Sequence, residues 1–301
     1  MSTERTVEGS PSALPTMLKA ALPALPGVNL IPGIRKTGGE LPDLRLTRPG
    51  IAIDEDHVAA YSRVCGFEQS GIRGRALPLT YPHMLAFPLH MAIMTDGSFP
   101  YPAIGTIHLR NAISQHRPIT PSEVLDVTAT ATNLRGHAKG RVFDLVTTIS
   151  SDGDTVWEST STYLRVGKGD KDAASEGAPF DVVPGHGVEW RLAGNLGRQY
   201  AAVSGDHNPI HLYPLTAKAF GFPRQIAHGM WSKARCVAAV ANRLPDQVEV
   251  EVEFKKPILL PGTVAFGSRV VDDGAHQGLD FSLTNPKSGA PHVVGRTRGL
   301  S

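Results

Sequence analysis

The segment Tyr200-Ala-Ala-Val-Ser204-Gly205-Asp206-His207-Asn208-Pro209-Ile210-His211 holds the side chains of this 301-residue chain best suited to moving protons. Asn208 can cap a helix and Pro209 is preset for a first helical position, so the chain is expected to fold back just after Asp206. That fold-back brings the Asp206 carboxylate and the His211 imidazole towards one point. A carboxylate and an imidazole sharing one water form an acid/base pair for adding or removing water across a double bond, since both protonation states are reachable near neutral pH. Taken alone, the same two residues could equally do no more than satisfy turn amides. Ser204, Gly205 and Asn208 shape the turn and are the candidate substrate-binding residues, with Ser204 placed to bond Asp206.

Further on, Ile226-Ala-His228-Gly229-Met230 opens a run of apolar and small residues (Ala234, Val237, Ala238, Ala241) that reads as a helix. The N–H of Gly229 would lie at its positive end, and the missing side chain lets a ligand carbonyl approach the backbone. A carbonyl held there would be polarised. A glycine needed only for close helix–sheet packing would look the same. Tyr200 reads as a packing residue, His207 as a bystander and His228 as structural. Lys255, Lys256, Arg224 and Arg235 are candidate phosphate contacts or ordinary surface cations.

The elements that must position these residues come in two similar sets. Tyr61-Ser-Arg-Val64-Cys-Gly66 answers Tyr200-Ala-Ala-Val203-Ser-Gly205, and Gln115-His-Arg-Pro118-Ile119 answers Phe254-Lys-Lys-Pro257-Ile258, both at an offset of 139. Each half reads as a short helix (Glu55–Cys65; Leu196–Ser204), a longer one (about Met84–Met94; about Met230–Asn242) and then strands. Val248–Phe254 alternates valine with glutamate, the mark of a strand with one buried face. Val264–Val271 and Leu279–Leu283 follow, with Asp272-Asp-Gly274 as the turn between them. In the first half, Val124–Asn133, Arg141–Ser150 and Thr155–Arg165 form the matching meander, and Asp152-Gly153 signals a hairpin. A long helix against antiparallel strands, written twice, is an α+β architecture. The breaker-rich stretch 167–184 reads as a linker, and residues 1–40 as a Pro- and Gly-rich arm.

With these residues in place, a resemblance can be stated. The Ser-Gly-Asp-x-Asn-Pro-x-His block and the downstream Ala-His-Gly block resemble the signature of the MaoC-like, (R)-specific enoyl-thioester hydratases and 3-hydroxyacyl-thioester dehydratases. The length and duplicated layout resemble the double-hot-dog members, in which each repeat wraps an antiparallel sheet around a central helix. The resemblance implies Asp206 and His211 as catalytic residues with Gly229 as carbonyl-polarising partner. It also implies no metal or redox cofactor, and a substrate carried by CoA or acyl carrier protein. It divides the chain into an arm (1–40), a degenerate repeat (41–166), a linker (167–184) and a catalytic repeat (185–301). At the 139 offset Phe67 faces Asp206, and no Asn-Pro-x-His follows Gly66, so the first half resembles the family's degenerate repeat, which implies room for a long acyl chain. Its apolar run from Leu77 to Leu89 would suit a tunnel wall or, equally, an ordinary core. A monomer or a homodimer would each suit such a chain. An acyl thioesterase on the same fold and a non-catalytic thioester-binding subunit are the alternatives; the intact signature disfavours both.

Composition sets the outer bounds. A 41% hydrophobic and 19% charged chain supports a substantial core, and a net charge of +2 gives no footing for nucleic acid. Two cysteines, Cys65 and Cys236, show neither metal spacing nor a disulfide framework, which favours a reducing cytoplasm. No apolar run approaches a membrane span, and Met1–Pro15 lacks an apolar signal core.

Overall fold

The computed structural model describes residues 3–9, 36, 38–67, 76–173, 177, 180–185, 187–272 and 277–300. The first half runs β1 (Thr3–Thr6), β2 (Leu44–Ala52), α1 (Glu55–Cys65), α2 (Pro82–Thr95), β3 (Thr106–Gln115), β4 (Val124–His137), β5 (Gly140–Ser151) and β6 (Asp154–Val166). The second runs β7 (Val188–Leu192), α3 (Leu196–Ser204), α4 (Pro209–Leu212), α5 (Pro214–Ala219), α6 (Gly229–Val240), β8 (Val248–Phe254), β9 (Gly262–Asp272), β10 (Gln277–Thr284) and β11 (Pro291–Gly299). All strands among the described residues lie in one sheet, ordered β1-β2-β4-β5-β6-β3-β8-β11-β10-β9-β7. Apart from β1, this order reads the same from either edge if each first-half strand is exchanged for its second-half counterpart. It is the expected double hot dog.

The repeat is visible in the caps. Gly66 ends α1 and Gly205 ends α3, both left-handed with φ of 79° and 72°, and they too are 139 positions apart. Tyr61 and Tyr200, one from each helix, meet across the junction with ring centroids 6.4 Å apart. The two halves join where β3 pairs antiparallel with β8, from Arg110 opposite Glu253 to Gln115 opposite Val248. The valines of β8 are buried on its inner face, while Glu251 pairs with Arg110 across the seam.

The helices sit inside this sheet. α2 packs on β4 and β2, and α6 on β10. Lys233 of α6 is fully buried and pins the seam: its Nζ donates to Asn111 O (3.0 Å), Asn111 Oδ1 (2.6 Å) and Val250 O (2.8 Å). Three acceptors require three N–H donors, so the ammonium form fits this site although burial pulls its pKa down.

Several expectations need adjusting. Inside the arm, Thr3–Thr6 is an edge strand parallel to β2. The ends of the 167–184 stretch are fastened to the sheet: Val183 is buried and its N–H donates to Ser282 Oγ at 2.9 Å. β2, β3, β7 and β11 were not assigned above. Pro49 and Gly50 interrupt β2, whose register shifts between Arg48 and Ile51. In β11, Gly295 breaks the apolar pattern because a Cβ there would come 2.6 Å from Glu251 O. The Asp152-Gly153 hairpin is present, with φ of 53° and 88°. The apolar stretch Met17–Leu25 and the Asp272-Asp-Gly274 turn beyond its first residue lie outside the described residues.

Candidate active site

The turn after α3 is built as its residues require. Ser204 Oγ accepts from the Asp206 N–H (3.1 Å), and Asp206 Oδ1 accepts from the Asn208 N–H (3.1 Å). Asn208 Oδ1 accepts from Ile210 N–H at 3.4 Å, capping the single turn α4 that carries His211. One Asp206 oxygen thus serves the turn, and the other, Oδ2, faces inward, 3.8 Å from His228 Nε2.

His211 is held by a bond from Nδ1 to Ile226 O at 2.8 Å. A carbonyl only accepts, so Nδ1 carries the proton and Nε2 keeps the lone pair. Burial lowers the pKa of His211, against the opposing pull of Asp206 and the Ile226 carbonyl, which keeps it neutral near pH 7. His228 stacks on it with centroids 3.7 Å apart and donates from Nε2 to Asp206 O at 3.0 Å. Burial, with His211 adding to it, drives the pKa of His228 far down. Sequence reasoning made His228 structural; in place it is the clamp between the turn and the second residue of the dyad. Asp206, His211 and His228 bring atoms within 4.8 Å of one another. His228 Nε2 is committed as a donor and its Nδ1 is buried without a partner among the described residues, while Asp206 and the Nε2 lone pair of His211 can share a water.

These residues line a cavity of about 360 Å³ with Ser204, Asn208 and Gly229. Gly229 is the first residue of α6, where the N–H has no intrahelical acceptor. A Cβ on it would stand 3.1 Å from the Phe254 ring, so the glycine keeps this wall open. Gly205 contributes only its left-handed cap. Lys255 and Lys256 are exposed and mark the open end with His292. Arg235 is engaged elsewhere, its guanidinium 4.2 Å above the Trp190 ring, and Arg224 is exposed outside the cavity lining.

The first half closes the cavity. Met84, Phe87, Met91 and Met94 of α2 line it, with Ile104 and Ile107 beyond. Tyr163 of β6 also lines it, and the Asp206 carboxylate adds to burial in raising its pKa. Tyr163 was not anticipated: it is 43 positions from the dyad and in the other repeat, and its alternation within β6 marked it only as one face of a strand. Phe67, opposite Asp206 in the repeat, is buried and stacks on Tyr61 at 6.3 Å. The counterparts of Asn208–His211 lie outside the described residues.

Residues 185–287 match the MaoC like domain. The chain is 39% identical over 293 residues to 3-hydroxyacyl-thioester dehydratase X of Mycobacterium tuberculosis, covering 96% of this chain and 99% of that protein. The chain belongs to the MaoC-like dehydratase family. The crystal structure of HtdX from M. tuberculosis matches this MaoC-like chain with a TM-score of 0.72 at 39% identity, over 85% of this chain and 100% of that one. Enoyl-CoA hydratase ChsH3 of the same bacterium is 26% identical over 144 residues, 46% of this chain and 50% of that one. A further M. tuberculosis protein with a double hotdog fold shares the fold at a TM-score of 0.54 and 13% identity, over 83% of this chain and 92% of that one. This MaoC-like chain is accordingly a hydro-lyase, a hydratase/dehydratase of fatty-acid metabolism. No helix among its described residues is long and apolar enough to cross a membrane.

Proposed function

We propose that the chain interconverts trans-2-enoyl and (R)-3-hydroxyacyl thioesters at a single site, with Asp206 and His211 as the proton-handling pair and the substrate carried by CoA or acyl carrier protein. The observation that carries this is the meeting of the Asp206 carboxylate and the neutral, lone-pair-bearing His211 in the cavity that Gly229 also lines. A water donating one hydrogen bond to each group is oriented with an oxygen lone pair free to attack C3. As the C3–O bond forms, the dyad takes a proton from the water and delivers one to Cα, so H and OH are added and nothing is left over. The Gly229 N–H receives the thioester oxygen, where enolate-like charge develops as the double bond is attacked. The reverse sequence expels water.

Lys255, Lys256 and His292 at the open end offer cationic and polar contacts for the phosphates of the carrier. The acyl tail runs inward along α2. The β3–β8 seam joins both repeats within one chain, so a monomer can hold a complete site. The chemistry proposed uses no metal or redox cofactor.

Steady-state hydration of crotonyl-CoA and longer enoyl-CoA in EDTA-treated buffer, followed by chiral analysis, tests this reading. The (R) product without loss of rate is expected. An (S) product, or release of free CoA without hydration, would overturn it; the second result is what a thioesterase would give.

A further inference from the structure

The stripe of α2 that faces the cavity is not uniformly apolar. His83, Phe87, His90 and Met94 follow one another at helical spacing, with Met84 and Met91 beside them. His83 and His90 are 2% and 1% exposed, with ring centroids 5.4 Å apart. Across from them His108 of β3 lies on Tyr163 at 4.4 Å and against Phe254 at 4.9 Å. Each of these three cavity-lining rings keeps one buried nitrogen that no atom of the described residues satisfies: Nδ1 of His83, Nδ1 of His90 and Nε2 of His108. We propose that His83, His90 and His108 form a second recognition site in the cavity, one that takes a neutral oxygen function, a hydroxyl or a ketone, on the acyl chain beyond its reacting carbons. This rests on the thioester reading above.

A wall meant only for methylenes would need no imidazoles, and the methionines on the same stripe already serve that purpose. Unpaired buried polar atoms are destabilising, so three in one cavity wall point to partners that arrive with the ligand. A half-turn of an imidazole about its Cβ–Cγ bond exchanges nitrogen and carbon on the ring edge, so an unpaired nitrogen can be presented without moving the backbone. For His90 that half-turn gives up the contact of Nε2 with Thr147 Oγ1, 2.7 Å away.

The chemistry of the ligand follows from charge. Burial lowers His90 to about 4 and His108 to about 3, and pulls His83 well below the usual imidazole range. At neutral pH each ring offers one donor and one acceptor and no charge. The nearest cation, Lys233, has its three donors taken by Asn111 and Val250. A carboxylate would be buried there with no cationic donor left to bind it directly, whereas a hydroxyl or carbonyl oxygen is matched by the neutral rings. The position follows from contacts. Tyr200, which packs on His228 at 4.9 Å, donates to Met84 Sδ at 3.9 Å, so the N-terminal end of α2 lies beside the dyad. His90 is six residues beyond Met84, about 9 Å along the helix axis.

The test is kcat/KM of the wild-type protein on enoyl-CoA esters of one chain length: an unsubstituted chain, a series with one hydroxyl or ketone moved along the tail, and a carboxyl-terminated chain. At least one hydroxyl or ketone position should be preferred over the plain chain by about tenfold. In His83→Leu and His90→Leu that ratio should fall towards one, with thermal melts reporting folding. His90→Asn, which keeps a donor and an acceptor, should retain part of it. No preference at any position, preference for the carboxyl chain, or a ratio unmoved in folded variants would each overturn the proposal. Turnover of the plain chain by the wild type stands apart: its absence would instead count against the hydratase reading.

Discussion

The two halves share a layout and a pair of glycine caps, yet they diverge immediately after those caps. After Gly205 the chain places Asp206 in a hydrogen-bonded turn and His211 on the helix turn that follows. After Gly66 it places Phe67, buried against Tyr61. The same contrast holds for the long helices. α6 opens with Gly229 and is anchored by Lys233, whereas α2 lines the cavity with methionines and histidines. The elements that hold the sheet closed are thus common to both halves, while the residues facing the cavity differ, which under the proposed function divides chemistry on one side from chain accommodation on the other.

The strongest way to break this contrast is to remove the dyad. Asp206→Asn and His211→Ala should each lower turnover by about two to four orders of magnitude with the fold retained, because each removes a proton-transfer group that lines the cavity. Near wild-type rates in either variant on short and long substrates would mean that the reaction runs elsewhere.

Gly229→Ala comes next. Its methyl group would press on the Phe254 ring at 3.1 Å and displace the bound carbonyl from the helix end. A kcat loss of about tenfold to a hundredfold is expected, whereas an unchanged kcat would make the glycine a packing residue.

A bulky residue on α2 sharpens the role of the first half. Met84 touches Tyr200 and so sits too close to the dyad, and Leu85 is not part of the cavity wall. Met94 is the better probe, ten residues from Met84 and about 15 Å along the axis. Met94→Trp should lower kcat/KM for a long enoyl chain relative to crotonyl-CoA by about tenfold. Parallel loss on both in a folded variant would reduce the first half to scaffold.

The smallest effect concerns pH. The pKa of His211 is lowered by burial, so its neutral form persists below the usual imidazole value of about 6.5 and the acid limb of kcat/KM should lie under that pH. The stability profile should show the same burial. His90, at about 4 when folded, takes up its proton in the unfolded chain first as pH falls below about 6.5. The stability it contributes is complete above that pH and is lost on the way down to 4, by roughly 3 kcal/mol. His90→Leu should flatten that slope in urea titrations; an unchanged slope would contradict the burial of a neutral ring.

Much of this was legible because it is local. The ends of α1 and α3, the β8 strand and the Asn208–Pro209 fold-back depend on caps, prolines and alternation within a few residues. The meeting of Asp206 and His211 was legible for the same reason, as they stand only five positions apart. What was not legible depends on distant partners. Lys233 looked like one more helix cation until its Nζ reached Asn111 across the seam, 122 positions away. β11 hid its pattern because Gly295 answers the Glu251 carbonyl and the Phe281 ring rather than its own neighbours. His83 and His90 were visible as residues, but their unsatisfied nitrogens exist only once β3 and β5 close around them.

The division of labour between the halves is tested most directly by counting sites. Calorimetric titration of the Asp206→Asn variant with a long-chain (R)-3-hydroxyacyl-CoA should give one molecule bound per chain, its tail protecting α2 from hydrogen exchange. Two molecules per chain, or one that leaves α2 unprotected, would contradict a single site whose tail-binding wall is the other repeat.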